Sequence, residues 1–189
     1  MNNPYQEYQI FDLIKETLVQ VLGCNANDVT PDAALVNDLN ADSLDFIEFR
    51  HILEKRLEIT LPQKSVLDHL SNALGSSQHV YENGRITPLA ATVLHQSFFH
   101  YDAQHVHAGM LPYEIMQVTT IRNWTACCYS LFNYLPDVCP HCQAIETTQS
   151  PLGKVICSHC CATIKPQTGD TILINELPRI LTRCPVETP

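Results

Sequence analysis

With 189 residues and 45% hydrophobic content, the chain suits one medium domain or two small ones and has a composition that folds. Its net charge of −9 is concentrated at the front: residues 1–75 carry 12 acidic against 5 basic side chains, residues 76–189 only 8 against 6. Such a surface disfavours nucleic acid and anionic lipid and steers toward basic protein partners. The opening Met-Asn-Asn-Pro-Tyr-Gln-Glu-Tyr has no basic or apolar signal region, and no apolar run approaches membrane-spanning length. A soluble cytoplasmic protein is expected, in which nine cysteines serve as metal ligands or free thiols rather than disulfides.

Residues 5–22 place Ile10, Leu13, Ile14, Val21 and the Leu18/Val19 pair at helical spacing before Gly23, which predicts a first helix with a glycine stop. Asn25 to Asn40 is a long connector with Val29, Leu35, Val36 and Leu39 as apolar anchors; ordered loops of that length are commonly functional. From Ser43 to Leu57, Phe46, Phe49, Ile52, Leu53 and Leu57 form an inward stripe and Asp45, Glu48 and Glu54 an outer surface, a second helix. A phosphate ester on Ser43 would face unpaired backbone N–H groups and the positive end of the helix dipole. The plainer alternative is that Asp42 or Ser43 merely caps the helix. Leu44, Ile47 and His51 recur at three- and four-residue steps beside the acidic positions, either as a contact strip near Ser43 or, for the two aliphatics, as core.

Pro62 ends that segment, residues 64–74 suggest a short helix, and Glu82-Asn83-Gly84-Arg85 reads as a turn. Thr87-Pro88 is a cap and first-position pair for a helix to about Phe99, followed by an irregular stretch from His100 to Leu111. His95, His100, His105 and His107 fall there, as a metal site or as ordinary surface and half-buried histidines. Thr119 or Thr120 caps a further helix carrying Ile121, Trp124, Cys128, Leu131 and Leu135, with Cys127 and Cys128 as small core residues. Asn123-Trp124-Thr125 matches a glycosylation acceptor that means nothing without secretion.

With this helix order, residues 5–62 resemble an acyl carrier protein. Asp28 through Leu39 is similar to that family's first loop, Asp42-Ser43-Leu44-Asp45 to its attachment motif, and Leu53-Glu54 through Leu61-Pro62 to the end of its second helix. Val118-Thr119-Thr120-Ile121 resembles the opening of its fourth helix, which makes residues of about 66–116 an expanded third-helix region. The resemblance implies 4′-phosphopantetheine on Ser43, attached by a phosphopantetheinyl transferase, with acyl groups held as thioesters on the arm. It further implies that Asp42, Leu44, Asp45, Ile47, Glu48 and His51 face acyl-loading, acyl-modifying and acyl-transfer enzymes, so that association weakens with salt. Asn40 stands where many relatives have Gly, and Arg50, His51, Lys55 and Arg56 make the second helix less acidic than is usual in the family. A dedicated pathway with its own partners is the preferred reading; Ala-Asp-Ser favours acyl over aminoacyl or peptidyl cargo.

Cys139-Pro140-His141-Cys142 and Cys157-Ser158-His159-Cys160 form two C-x2-C pairs fourteen residues apart, the spacing of a four-thiolate zinc ribbon. Pro151 and Gly153 suit the hairpin between them, and Thr171-Ile172-Leu173-Ile174 predicts a β-strand. His141, His159 or Cys161 as a replacement ligand, and a redox role for Cys-Pro-His-Cys, are the competing readings. The ribbon has too few basic residues for a nucleic-acid site.

The expectation is therefore a mainly α protein: a four-helix acyl-carrier-type bundle with an insertion, over residues 1–137, then a small zinc-bound β-ribbon and C-terminal tail over 138–189. It is expected to be a monomeric carrier rather than an enzyme, serving fatty-acid, polyketide or other secondary-metabolite assembly, with the zinc module docking a partner or bracing the fold. An aminoacyl or peptidyl carrier, a protein-binding adaptor without the arm, and a thiol oxidoreductase are the alternatives.

Overall fold

The computed structural model describes residues 1–184; the last five residues of the expected C-terminal tail lie outside it. In chain order the helices are α1 (Glu7–Leu22), α2 (Ser43–Leu57), α3 (Val66–Leu74), α4 (Pro88–Gln96), α5 (Pro112–Val118), α6 (Ile121–Leu131) and α7 (Gly169–Arg183). Two antiparallel ribbons accompany them, β1 (Tyr81–Glu82) with β2 (Arg85–Ile86) and β3 (Thr147–Gln149) with β4 (Val155–Cys157), and single 3-10 turns lie at Ser77–His79 and Phe132–Tyr134.

Ile10, Ile14 and Leu18 recur every fourth residue along α1 and are fully buried, the stripe that a 3.6-residue period demands. Gly23, at φ +62°, adopts the left-handed conformation that ends the helix. Helix α1 packs against both α2 and α6, and α2 contributes Phe49, Leu53 and Leu57 to the shared core. From α6, Trp124 meets Phe46 and Phe49 edge-on, with ring centroids 5.4 and 5.8 Å apart. Cys127 and Cys128 are fully buried beside it, as small core residues.

The connector from Asn25 to Asn40 is ordered because it is hydrogen-bonded to the start of α6. Ile121 N–H donates to Ala33 O at 2.9 Å, Arg122 N–H to Pro31 O at 2.7 Å, and Leu35 N–H to Thr119 O at 3.4 Å. Val29 and Leu35 are its buried anchors, while Val36 and Leu39 are half-buried.

The expanded region between α2 and α6 holds more structure than its sequence suggested. The Asn83-Gly84 turn has φ of +51° and +77°, the pair of positive values that a two-residue hairpin of this kind requires, and it joins β1 to β2. Thr87 caps α4 as expected, with Pro88 in its first turn, but the helix stops at Gln96. Helix α5 was not anticipated; its start is fixed by Pro112 and by Glu114 Oε2, which accepts from Leu111 N–H at 2.7 Å.

The strand expected at Thr171-Ile172-Leu173-Ile174 is not found, and these residues lie in α7. Thr168 caps the helix, and Ile172, Leu173, Leu177 and Ile180 form one buried face that a four-residue β-branched window does not reveal. This helix packs on α3 and α4. Asp170 in its first turn accepts from Gln63 and Lys64 N–H at 3.0 and 3.2 Å and shares a 2.7 Å hydrogen bond with buried His69. Those donors, the Gln63 N–H foremost, hold the Asp170 carboxyl below its ordinary value against the opposing effect of burial.

Gly169 begins α7 against Pro62, where a Cβ would lie 2.5 Å from the proline ring and 2.6 Å from its backbone nitrogen. Gly169→Ala is expected to push the helix off this contact and cost roughly 1–3 kcal/mol, read from the denaturant midpoint.

Candidate functional site

Ser43 is the first residue of α2 and is exposed. The capping alternative resolves onto its neighbour: Asp42 Oδ1 accepts from Leu44 N–H at 2.7 Å and Asp45 N–H at 3.0 Å, while Asp45 Oδ2 accepts from Asp42 N–H at 3.0 Å. Among the described residues, Ser43 Oγ has no hydrogen-bond partner. The same contacts narrow the expectation of unpaired backbone donors, since the Leu44 and Asp45 N–H groups are already taken by Asp42. What remains for an anion at Ser43 is its own backbone N–H, which has no acceptor among the described residues, and the positive end of the helix dipole.

Leu44 and Ile47 are 73% and 64% exposed, which removes them from the core and places them beside Ser43. Asp42, Glu48 and His51 are exposed too, whereas Asp45 is half-buried in its capping role. Glu54, read as an outward residue, instead turns back to accept from Leu61 N–H at 2.8 Å.

Asn40 and Ala41 lead into the site. Asn40 has φ +55°, a left-handed conformation open to Gly and tolerated by Asn. Ala41 N–H donates to Leu35 O at 2.9 Å, closing the loop just before the serine.

The second candidate site is the cysteine group. The four sulfurs of Cys139, Cys142, Cys157 and Cys160 all lie within 4.8 Å of one another. Cys139–Cys160 and Cys142–Cys157 are separated by 3.7 and 3.6 Å. A tetrahedral zinc with bonds of about 2.3 Å needs sulfur–sulfur edges of about 3.8 Å, so the donors fit that ion. A disulfide, at about 2.05 Å, they do not form. Backbone donors support negative sulfur: Cys160 N–H and then His159 N–H bring Cys157 down to about 6. Ala144 N–H favours the Cys142 thiolate, but burial and the neighbouring thiols outweigh it and push that residue up to about 12.

Each C-x2-C pair sits in a turn followed by a residue of positive φ, Gln143 at +63° and Cys161 at +58°. Cys161, His141 and His159 are exposed and outside the group, so none replaces a cysteine in it. The helix-start setting of a redox pair is likewise missing, since Cys139 to Cys142 lie in a turn. The four histidines of the middle region do not gather; His95 Nε2–H donates to Val106 O at 2.6 Å.

Sequence reasoning missed the contacts that join this ribbon to the bundle. Glu58, at the end of α2, accepts from Lys154 and, at 2.7 Å, from Lys165. The Lys154 hydrogen bond first, then that of Lys165, lowers its carboxyl to about 2. Tyr5 packs on Phe132 with ring centroids 4.7 Å apart, and its hydroxyl donates to Gly153 O. Gln149 Nε2 donates to Pro4 O at 2.8 Å.

A family model described as "Phosphopantetheine attachment site" matches residues 12–74, the span from α1 through α3 that includes Ser43; the chain therefore carries a phosphopantetheine attachment domain. The acyl carrier protein of Helicobacter hepaticus is 39% identical over 54 residues, 29% of this chain and 71% of the relative. That of Clostridium perfringens (strain SM101) is 36% identical over 55 residues, 29% of this chain and 72% of the relative. The chain belongs to the acyl carrier protein family. No solved structure matches it. Among the described residues, no helix is long and apolar enough to cross a membrane.

Asn40→Gly is expected to leave stability within about 0.5 kcal/mol of the parent, whereas Asn40→Val costs roughly 1–2 kcal/mol because a β-branched residue resists positive φ. Chemical denaturation of the three proteins checks the ordering.

Proposed function

We propose that Ser43 is the attachment residue and that the chain presents acyl thioesters to the enzymes of a dedicated lipid, polyketide or other secondary-metabolite pathway. In the attaching step, Ser43 Oγ displaces the adenosine 3′,5′-bisphosphate part of coenzyme A at phosphorus. One phosphoester bond forms, the pyrophosphate bond breaks, and the serine proton is taken up by the transferase or solvent. What carries the reading is an exposed serine at the first turn of α2 whose capping duty is filled by Asp42. The role is that of a cytoplasmic, monomeric carrier rather than a catalyst: the flexible arm raises the effective concentration of its cargo at each docked enzyme.

Asp42, Leu44, Asp45, Ile47, Glu48 and His51 form the proposed contact strip. Arg50, Lys55 and Arg56 on the same helix favour partners adapted to this chain over general fatty-acid enzymes. Zinc is the proposed ion of Cys139, Cys142, Cys157 and Cys160, closing a crosslink between two turns and leaving no open position for catalysis. Bracing is favoured over docking by the Glu58, Tyr5 and Pro4 contacts. The proposed modules are residues 1–137 and 138–189.

Incubation with coenzyme A and a broad-specificity transferase is expected to add one phosphopantetheine, seen by intact mass and absent from Ser43→Ala. An adduct that survives the substitution rejects Ser43; no adduct on the parent chain favours an adaptor that works without the arm.

Elemental analysis is expected to return one zinc per chain. Chelation should expose four further reactive thiols and lower the unfolding temperature. Full thiol reactivity before chelation would reject the metal and reopen a redox role.

A further inference from the structure

The segment inserted between α2 and α6 forms, together with those two helices, a half-open pocket of about 290 Å³. Five aromatic side chains line it: Phe46 from α2, Trp124 from α6, and Tyr81, Phe99 and Tyr101 from the insertion. Phe99 meets Trp124 edge-on at 5.4 Å and stacks on Tyr101 at 5.6 Å. Leu94, Ile115 and Met116 add aliphatic wall, and Arg50, Lys64 and Ser65 supply polar groups without any carboxylate. Most of the aromatic wall therefore comes from residues beyond the 12–74 span shared with the family model.

We infer that this cavity is a seat for a compact aromatic acyl group, and that the insertion sets the cargo class of the carrier. The inference rests on Ser43 as the attachment residue. Phe46 is one turn along α2 from Ser43, roughly 4.5 Å of axial rise, so a cargo on a folded-back arm reaches the cavity. A cavity of about 150 Å³ takes one benzene ring, so this one suits a ring with a short linker. Ring edges and faces offered by Phe46, Phe99 and Trp124 favour a second π-system over a saturated chain, which also loses more rotational freedom when confined. Arg50 is positioned at the cavity by donation to Pro62 O at 2.7 Å, where it can meet a polar ring substituent.

The test loads Ser43 with 3-phenylpropanoyl- or octanoyl-phosphopantetheine from the corresponding acyl-coenzyme A, with loading verified by intact mass. Isotope-filtered nuclear Overhauser spectra are expected to connect the phenyl protons to Trp124, Phe99 and Ile115, with the unfolding temperature raised roughly 2–4 °C. The octanoyl form is expected to show neither effect. Absence of those contacts for the phenyl cargo, or equal contacts and an equal shift for octanoyl, overturns the inference.

Ile115→Phe fills the cavity and should abolish the phenyl contacts; if it unfolds, Met116→Phe at the more exposed edge replaces it. Either folded variant retaining the contacts also overturns the inference. If Ser43 accepts no arm, the same comparison uses soluble S-acyl-N-acetylcysteamine thioesters. About ten-fold tighter binding of the phenyl compound, with contacts to Trp124, then supports the aromatic seat although the attachment reading has failed; equal or absent binding rejects the seat.

Discussion

The position of Ser43 depends on the backbone pairing between the long connector and the first turn of α6. Three N–H···O bonds tie residues 31–35 to 119–122, and Ala41 N–H closes the loop onto Leu35. These groups are in a connector that is otherwise largely exposed, so their pairing must come from another segment if the loop is to have one conformation. The Arg122–Asp32 ion pair beside them spans 2.7 Å but is 60% and 79% exposed, so it adds at most about 1 kcal/mol. The backbone contacts, with Val29 and Leu35 buried beneath them, are the stronger constraint.

That pairing explains how a large insertion is accommodated. Helices α1, α2 and α6 pack together, and α6 is fixed to the connector, so the residues between α2 and α6 can be extended without moving the serine. The added segment makes its own contacts instead. Its α3 and α4 are covered by α7, whose Asp170 bonds the Gln63 and Lys64 N–H groups where the chain leaves α2. The extra mass is packed partly onto a helix that follows the ribbon in sequence and partly onto α6, through Phe99 against Trp124.

Local chemistry was legible in the sequence wherever one segment determined its own structure. Gly23, Asn83-Gly84 and Thr87-Pro88 each specify a backbone conformation through neighbouring residues, and each is found as read. The cysteine spacing was legible for the same reason, because a C-x2-C turn places two sulfurs together before any tertiary contact forms. The Thr171–Ile174 strand failed because β-branched residues satisfy a short strand pattern equally well, and only Leu177 and Ile180 reveal the helical face. The exposure of Leu44 and Ile47 was undecidable from periodicity, since it depends on which neighbouring faces α1 and α6 cover. Glu58 and Lys154 lie too far apart in the chain for any local pattern to pair them.

Helix α2 is consequently constrained at both ends by different parts of the chain. Its first turn is closed by Asp42 and Asp45, a local device that leaves Ser43 facing outward. Its last turn ends at Glu58, which adopts φ +55°, a conformation unfavourable for a residue with a Cβ. Two lysines from the ribbon hold that side chain, and their hydrogen bonds keep its carboxylate ionised far into the acid range. Lys154 sits between Gly153, which accepts from Tyr5, and Val155, which is buried in β4; the clamp is thus built into the ribbon's own backbone. A ribbon that loosened would release the end of the helix that carries the serine, whereas the Asp42 cap, being local, would persist. The ribbon therefore meets α2 at its C-terminal end, while the surroundings of Ser43 at the other end are set by the residues beside it.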